Sequence, residues 1–313
     1  MFVQWQLERS GFDITTRELP RDALLLPKLF DRSMLAQADR VEVDAENFPA
    51  GVGKLHRLPY LNSLVVSNAT AAVRFDTEEP LAALELIELF SGWFHPEQVS
   101  KLAVQTPELK GFSCLFERDS AKGFSDLPPD WLKQIQLLWL ASPEGEVDPD
   151  DLKNFLELFP EITKLRLHGF QLGDSDVTWM AELGVRELDL FETQLNLSSL
   201  SGKPIPFLRI DSEYTDIQDV ARLQVKTLVV DKFNASSFPD VGAVGGLENI
   251  YLNFENPVSA EIVVNFLTTH PTIRYLSVSP PVSELDSQAE AFKSSGYKIL
   301  ERNEATAFRS MSK

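Results

Sequence analysis

Residues 162–172, ITKLRLHGFQL, and residues 185–195, VRELDLFETQL, carry one pattern. An aliphatic residue is followed by two free positions, a second aliphatic, one free position, a third aliphatic and, five residues on, a leucine. The alternation places Leu165 and Leu167 on one face of a short strand and Arg166 on the other. A strand this short cannot bury its apolar face alone, so the pattern must recur. It recurs as Ile205, Leu208, Ile210; Val225, Leu228, Val230; Leu247, Ile250, Leu252; and Ile273, Leu276, Val278. Toward the N-terminus it reads Ile135, Leu138, Leu140; Val99, Leu102, Val104; Leu61, Leu64, Val66; and, more weakly, Ala38, Val41, Val43. From Leu138 onward the central residue returns after 27, 23, 20, 20, 22 and 26 residues.

Over roughly residues 38 to 280 this resembles the leucine-rich repeat superfamily, whose unit LxxLxLxx(N/C)xL takes 20 to 29 residues. The resemblance implies an α/β solenoid, a right-handed superhelix with a curved parallel sheet on its concave face and helices and turns on its convex face. Two departures are visible. The family's asparagine position holds Phe170, Thr193, Glu213, Phe233 and Glu255, so there is no asparagine ladder and the turn carbonyls need other donors. The phenylalanines suggest aromatic packing in the outer spine. The steps on either side of Leu102, 38 and 36 residues, are too long for one unit. Segments 67–98 and 105–134 are therefore expected to be irregular, with AAVRF (71–75) and GFSCLF (111–116) as candidate extra strands.

Return segments of different length predict different structures. PDDLKNFLELF from Pro149 places Leu152, Phe155 and Leu158 on one helical face, behind acidic first-turn residues. DSDVTWMAEL from Asp174 and VSAEIVVNFL from Val258 read the same way, the latter with Ser259 as cap. Units of 20 residues leave room only for short turns. Open solenoid ends need caps, expected at residues 1–37 and 283–302 around a repeat region of 38–282. Residues 303–313 are expected to form a flexible tail, and the whole to be a single domain.

The 313 residues include 29 basic and 47 acidic side chains, a net charge of −18, with one Cys and four His. This balance argues against nucleic acid or an anionic membrane as partner, because phosphate binding depends on clustered Lys and Arg. One Cys makes no internal disulfide, and the scattered His show no metal spacing, so neither metal nor cofactor is expected. No signal-peptide pattern opens the chain and no apolar run reaches membrane-span length, so a cytoplasmic protein is expected. The sequons at Asn68, Asn196 and Asn234 read as chance matches in that setting.

Parallel register allows the outward residues to be named. The position between the core aliphatics includes Trp139, Arg166, Asp189, Arg209 and Tyr251; the position before them includes Phe207 and Tyr275; the position after them includes His168, Phe191 and Asp211. The charges alternate in sign along the ladder, which suits cross-strand ion pairing or partner recognition. Aromatics gathered on one sheet face suit a binding patch. These ten residues are the candidate contact set for a protein or peptide, and the acidic balance would steer a basic one. The resemblance implies a non-enzymatic interaction scaffold. One alternative is an adaptor recruiting machinery through ELPRDALLLPKLF (18–30), which resembles the start of an F-box. Another is an enzyme with its chemistry in the 105–134 insertion, where Cys114, Glu117 and Asp119 are present in an order that matches no nucleophile motif.

Overall fold

The computed structural model describes residues 3–6, 39–44, 55–56, 58–67, 77, 79–89, 92–94, 96–117, 120–143, 145, 147–173, 177–200, 202–215, 220, 223–233, 244, 246–302 and 305–311. The chain divides into two compact units, 1–165 and 166–313.

In the first unit the strands are β1 (Val3–Gln6), β2 (Arg40–Asp44), β3 (Ser63–Ser67), β4 (Leu86–Leu89), β5 (Gly111–Leu115) and β6 (Leu137–Ala141). They lie side by side in chain order; β1 is antiparallel to β2, and the rest are parallel. Central repeat residues face one another across every step: Val41 with Leu64, Leu64 with Ile87, Ile87 with Phe112, Phe112 with Leu138. All five are fully buried. Each such side chain contributes roughly 1.5–3 kcal/mol of burial free energy, so stacking is what makes four- and five-residue strands stable.

The copy read at Val99, Leu102 and Val104 is not a strand. It lies in the helix Pro96–Gln105, where Val99 and Leu102 are buried and Val104 is 69% exposed. Residues three apart share a helix face while residues five apart do not, so LxxL is common to both structures and only the final position separates them. The ladder runs instead through Leu84, Ile87, Leu89 and through Leu109, Phe112, Cys114, so the two overlong steps become three ordinary ones of 23, 25 and 26 residues. Segments 67–98 and 105–134 thus each hold a regular unit, the second with the expected strand at GFSCL, while AAVRF lies outside the described residues. A repeated hydrogen-bond signature confirms the assignment. Asp39 O accepts from the amides of Asn62 and Ser63, Asn62 O from Glu85 and Leu86, Glu85 O from Lys110 and Gly111, and Lys110 O from Gln136 and Leu137.

Two local features fix this unit. A Cβ on Gly111 would stand 2.8 Å from Leu137 Cβ and 2.9 Å from Leu137 O, so only glycine lets β5 lie against β6. Behind the sheet, Phe112 stacks on Phe124 at 5.3 Å and meets Phe159 edge-on at 5.7 Å, and Phe155 packs edge-on against Phe124 and Phe159. Aromatic packing therefore fills the interior here. Phe155 comes from the helix Pro149–Leu156, whose N-cap Asp148 accepts from Asp150 N at 2.9 Å.

β7 (Lys164–His168) is divided between the units. The second unit continues with β8 (Gln171–Gly173), β9 (Glu187–Phe191), β10 (Gln194–Leu195), β11 (Phe207–Asp211), β12 (Thr227–Phe233), β13 (Asn249–Phe254), β14 (Tyr275–Ser279), β15 (Tyr297–Arg302) and β16 (Ala305–Ser310). β9, β11, β12, β13 and β14 are parallel neighbours, with Leu188, Leu208, Leu228, Ile250 and Leu276 aligned. β8 and β10 form a separate parallel pair. Each unit is thus a stack of short parallel strands with its central repeat residues aligned, the α/β arrangement that the repeat pattern predicts.

Three expectations change in this unit. The return after β8 is a 3-10 turn at Thr178–Glu182 rather than an α-helix from Asp174. The helix Ala260–Thr269 forms as read, but Ser259 makes no side-chain cap. The tail is not loose over residues 305–310, because β16 inserts antiparallel between β14 and β15. Its Phe308 is fully buried, stacked on Phe292 at 4.6 Å, and that burial offsets the entropy of ordering the segment.

The missing asparagine ladder is replaced by hydroxyls. Thr193 Oγ1 donates to Leu167 O or Phe191 O, each 3.0 Å away, and accepts from Phe170 N at 3.3 Å. Thr215 Oγ1 donates to Thr193 O at 2.9 Å. Both threonines are buried. In the next repeat the asparagine position holds Glu213, which is exposed, and the donor is Thr215, two residues on.

Candidate functional site: the open strand face

The face of β7, β9, β11, β12 and β13 opposite the leucines carries a chain of charges in the second unit. Arg166 Nε donates to Asp189 Oδ2 at 2.7 Å, Arg209 reaches the same oxygen at 3.9 Å, and Arg209 Nε donates to Asp231 Oδ2 at 2.5 Å. Asn253 Nδ2 then donates to Asp231 Oδ1. The parallel register is the cause, since it places Asp189 opposite Arg209 and Asp211 opposite Asp231. The carboxylates are the covered halves of these pairs, with Asp189 and Asp231 side chains 12% and 11% exposed against 41% and 36% for Arg166 and Arg209. Burial works against the Arg209 charge, but the hydrogen bond to Asp231 and the surrounding aspartates outweigh it and raise its pKa.

A second network borders the first. Lys232 Nζ stands 3.1 Å from Asp211, 3.3 Å from Glu213 and 3.4 Å from Glu192. The hydrogen bond to fully buried Asp211 leads the set that holds the Lys232 ammonium above the ordinary lysine range. His168 Nε2 lies 3.3 Å from Glu192 and, with Lys232, holds that carboxyl below its usual range despite some desolvation. Lys232 also sits 5.7 Å from the ring centroids of Phe191 and Tyr214, within cation–π reach. Glu192 and Lys232 both have positive φ, 48° and 50°, at the turn position where the preceding repeat has Gly169 at 76°. A non-glycine residue there costs of order 1 kcal/mol. Three ion pairs to Lys232 and the His168 contact to Glu192 hold these two in place.

The sequence-derived contact set is thereby sorted. Arg166, Asp189, Arg209, Asp211 and His168 are brought together, and each has at least one polar contact to a neighbour within the ladder, while Asp189 Oδ1 is buried without a hydrogen-bond partner among the described residues. His168 packs edge-on against Phe191 at 4.9 Å, and Phe191 is half-buried. Phe207 is half-buried beside Glu187 and Thr227. Tyr251 is 38% exposed, its ring centroid 5.3 Å from that of Tyr275. Trp139 belongs to the first unit, where it is half-buried opposite Ser113. Sequence reasoning missed Lys232, Glu192 and Glu213, which lie just past the strand positions that the repeat pattern marks. It also missed Arg309 and Lys298. Arg309 lies opposite Tyr275 in register, and Lys298 opposite Arg309.

Cys114 is buried, and burial, aided by Glu117, pushes its thiol up to about 12. A thiol raised by burial in this way is poorly suited to act as a nucleophile. Asp119 and the F-box-like 18–30 segment lie outside the described residues, as do Asn68 and Asn234; Asn196 Oδ1 accepts from Ser198 N at 3.1 Å at the start of a 3-10 turn. Among the described residues no cluster of three His, Cys, Asp or Glu side chains is arranged to hold a metal, and no helix is long and apolar enough to cross a membrane.

No protein-family model matches the chain, and no curated protein is significantly similar to it. Among solved structures, it is similar to TLR13 in a complex with the single-stranded RNA ssRNA13, at 14% identity and a TM-score of 0.45, covering 78% of this chain and 39% of that one. It is also similar to human 5T4 (Wnt-activated inhibitory factor 1, trophoblast glycoprotein), at 16% identity and a TM-score of 0.42, covering 78% of this chain and 86% of that one. The chain thus spans well under half the length of the TLR13 chain.

Proposed function

We propose that this chain is a non-enzymatic scaffold that receives a protein or peptide on the open face of its strand ladder. The observation that carries this reading is the Tyr251 and Tyr275 pair, a tyrosine 38% exposed in the middle of a sheet face and braced by a second ring. Tyrosines held in a fixed orientation are typical contact hot spots, because they bring large amphipathic area at low entropic cost. The charge chain supports the same reading in a different role: its members neutralise one another and keep the face rigid, which lowers the cost of binding. The protonated state of Cys114 weighs against the enzyme alternative. Affinity capture from a native lysate, comparing wild type with Tyr251→Ala and with Trp139→Ala, tests the proposal. Loss of a client from a variant with an unchanged thermal midpoint supports it, and equal capture by all three proteins refutes it.

A further inference from the structure

The charge chain ends before the C-terminal edge of the sheet. Antiparallel partners share a face with their Cβ atoms about 4.5–5.5 Å apart, and register therefore continues the row Thr227, Asn249, Tyr275 into Arg309 of β16 and Lys298 of β15. Asn249 donates to Thr227 at 3.2 Å. Arg309 and Lys298 are exposed, and among the described residues neither has a carboxylate partner, in contrast to Arg166, Arg209 and Lys232. The adjacent row runs Tyr251, Ser277, Ala307 and Leu300, of which Tyr251 is the exposed member and Ala307 is covered. In a chain of net charge −18, this is a cationic and aromatic patch on an otherwise acidic molecule.

Resting on the scaffold reading above, we propose that the contact centre of the open face is this C-terminal patch, Tyr251, Tyr275, Arg309 and Lys298, and that its ligand is an acidic peptide segment. The chemistry selects that class. Arg309 can hold a carboxylate in a two-point hydrogen bond, and Lys298 can neutralise a second. The tyrosines then cover the apolar part of the segment. Two free cations within a strongly acidic protein are too few for a nucleic-acid backbone, which draws affinity from many phosphate contacts. A basic partner, although favoured by net charge at long range, would meet two like charges at the contact itself.

Selection of a displayed random-peptide library on the full chain tests this, with single-stranded RNA titrated in parallel. The expected result is enrichment of peptides rich in Asp and Glu around an apolar residue. Their affinity should fall about tenfold or more in Lys298→Glu/Arg309→Glu, less in Lys298→Gln/Arg309→Gln, and not at all in Lys203→Glu, an exposed charge reversal elsewhere. Unchanged circular dichroism and thermal midpoints establish that all variants are folded. Peptides that need Tyr251 but are neutral or basic, or ignore both charge variants, would overturn the acidic-ligand inference and leave the scaffold reading standing. Peptides indifferent to Tyr251 as well, or no enrichment, would overturn both. RNA bound more tightly than any peptide, and lost with the same charge variants, would overturn the choice of ligand class.

Discussion

At Thr193 one hydroxyl serves Leu167 O, Phe191 O and Phe170 N in a place sealed from water. Replacing it by the isosteric Val removes these hydrogen bonds, with Phe191 O keeping its bond from Gly169 N at 3.0 Å, so Thr193→Val should cost about 1–3 kcal/mol in urea unfolding while Thr193→Ser retains most of the stability. Glu192 makes a pH-dependent contribution of known sign. Its carboxyl is held low first by His168 and then by Lys232, so its contribution is present above the usual carboxylate pKa and is lost as pH falls through the depressed value. Glu192→Gln should flatten the acid limb of the thermal midpoint measured against pH. Cys114 behaves oppositely. With its pKa raised to about 12 from 9.0, the contribution is present below pH 9 and is lost as pH rises toward 12. A maleimide should leave folded Cys114 largely unlabelled at neutral pH and label it rapidly in denaturant.

Among the elements, the segment 96–105 distinguishes two structures that share a sequence pattern. As a repeat strand it would bury Val104; as the helix Pro96–Gln105 it leaves Val104 69% exposed and buries Leu102. Val104→Glu should therefore change stability by no more than about 0.5 kcal/mol, whereas Leu102→Ala should cost about 2–5 kcal/mol. A large loss from Val104→Glu would restore the strand reading. The strands on either side were legible only in part. Leu84, Ile87, Leu89 fits the repeat, but its neighbours Leu86 and Leu81 hide the alternation, and Leu109, Phe112, Cys114 replaces two aliphatics with an aromatic and a thiol.

For the whole molecule, the C-terminal hairpin decides where the second unit ends. β16 pairs β14 on one side and β15 on the other and brings Phe308 into the core. A chain stopped at residue 304 loses that ring and leaves a free edge on β14. Such edges promote association, so the truncated chain should melt lower and aggregate on heating when followed by light scattering. A chain with a loose tail would show neither effect.

For the regular repeats at β2, β3, β6, β7, β9 and β11 to β14, the strands and their aliphatic core were legible in the sequence alone, because LxxLxL acts within six residues and an equal-register ladder repeats the same local decision at each step. Its open-face residues could be named for the same reason. Tertiary structure decided what the period does not encode. Burial, rather than pattern, separated the helix at 96–105 from a strand. Contacts between residues about 20 apart determined which carboxylates would be covered by which cations. Antiparallel pairing of β16, which follows no repeat, set Arg309 beside Tyr275 and Lys298 beside Arg309, since only the folded chain end brings those side chains to the sheet.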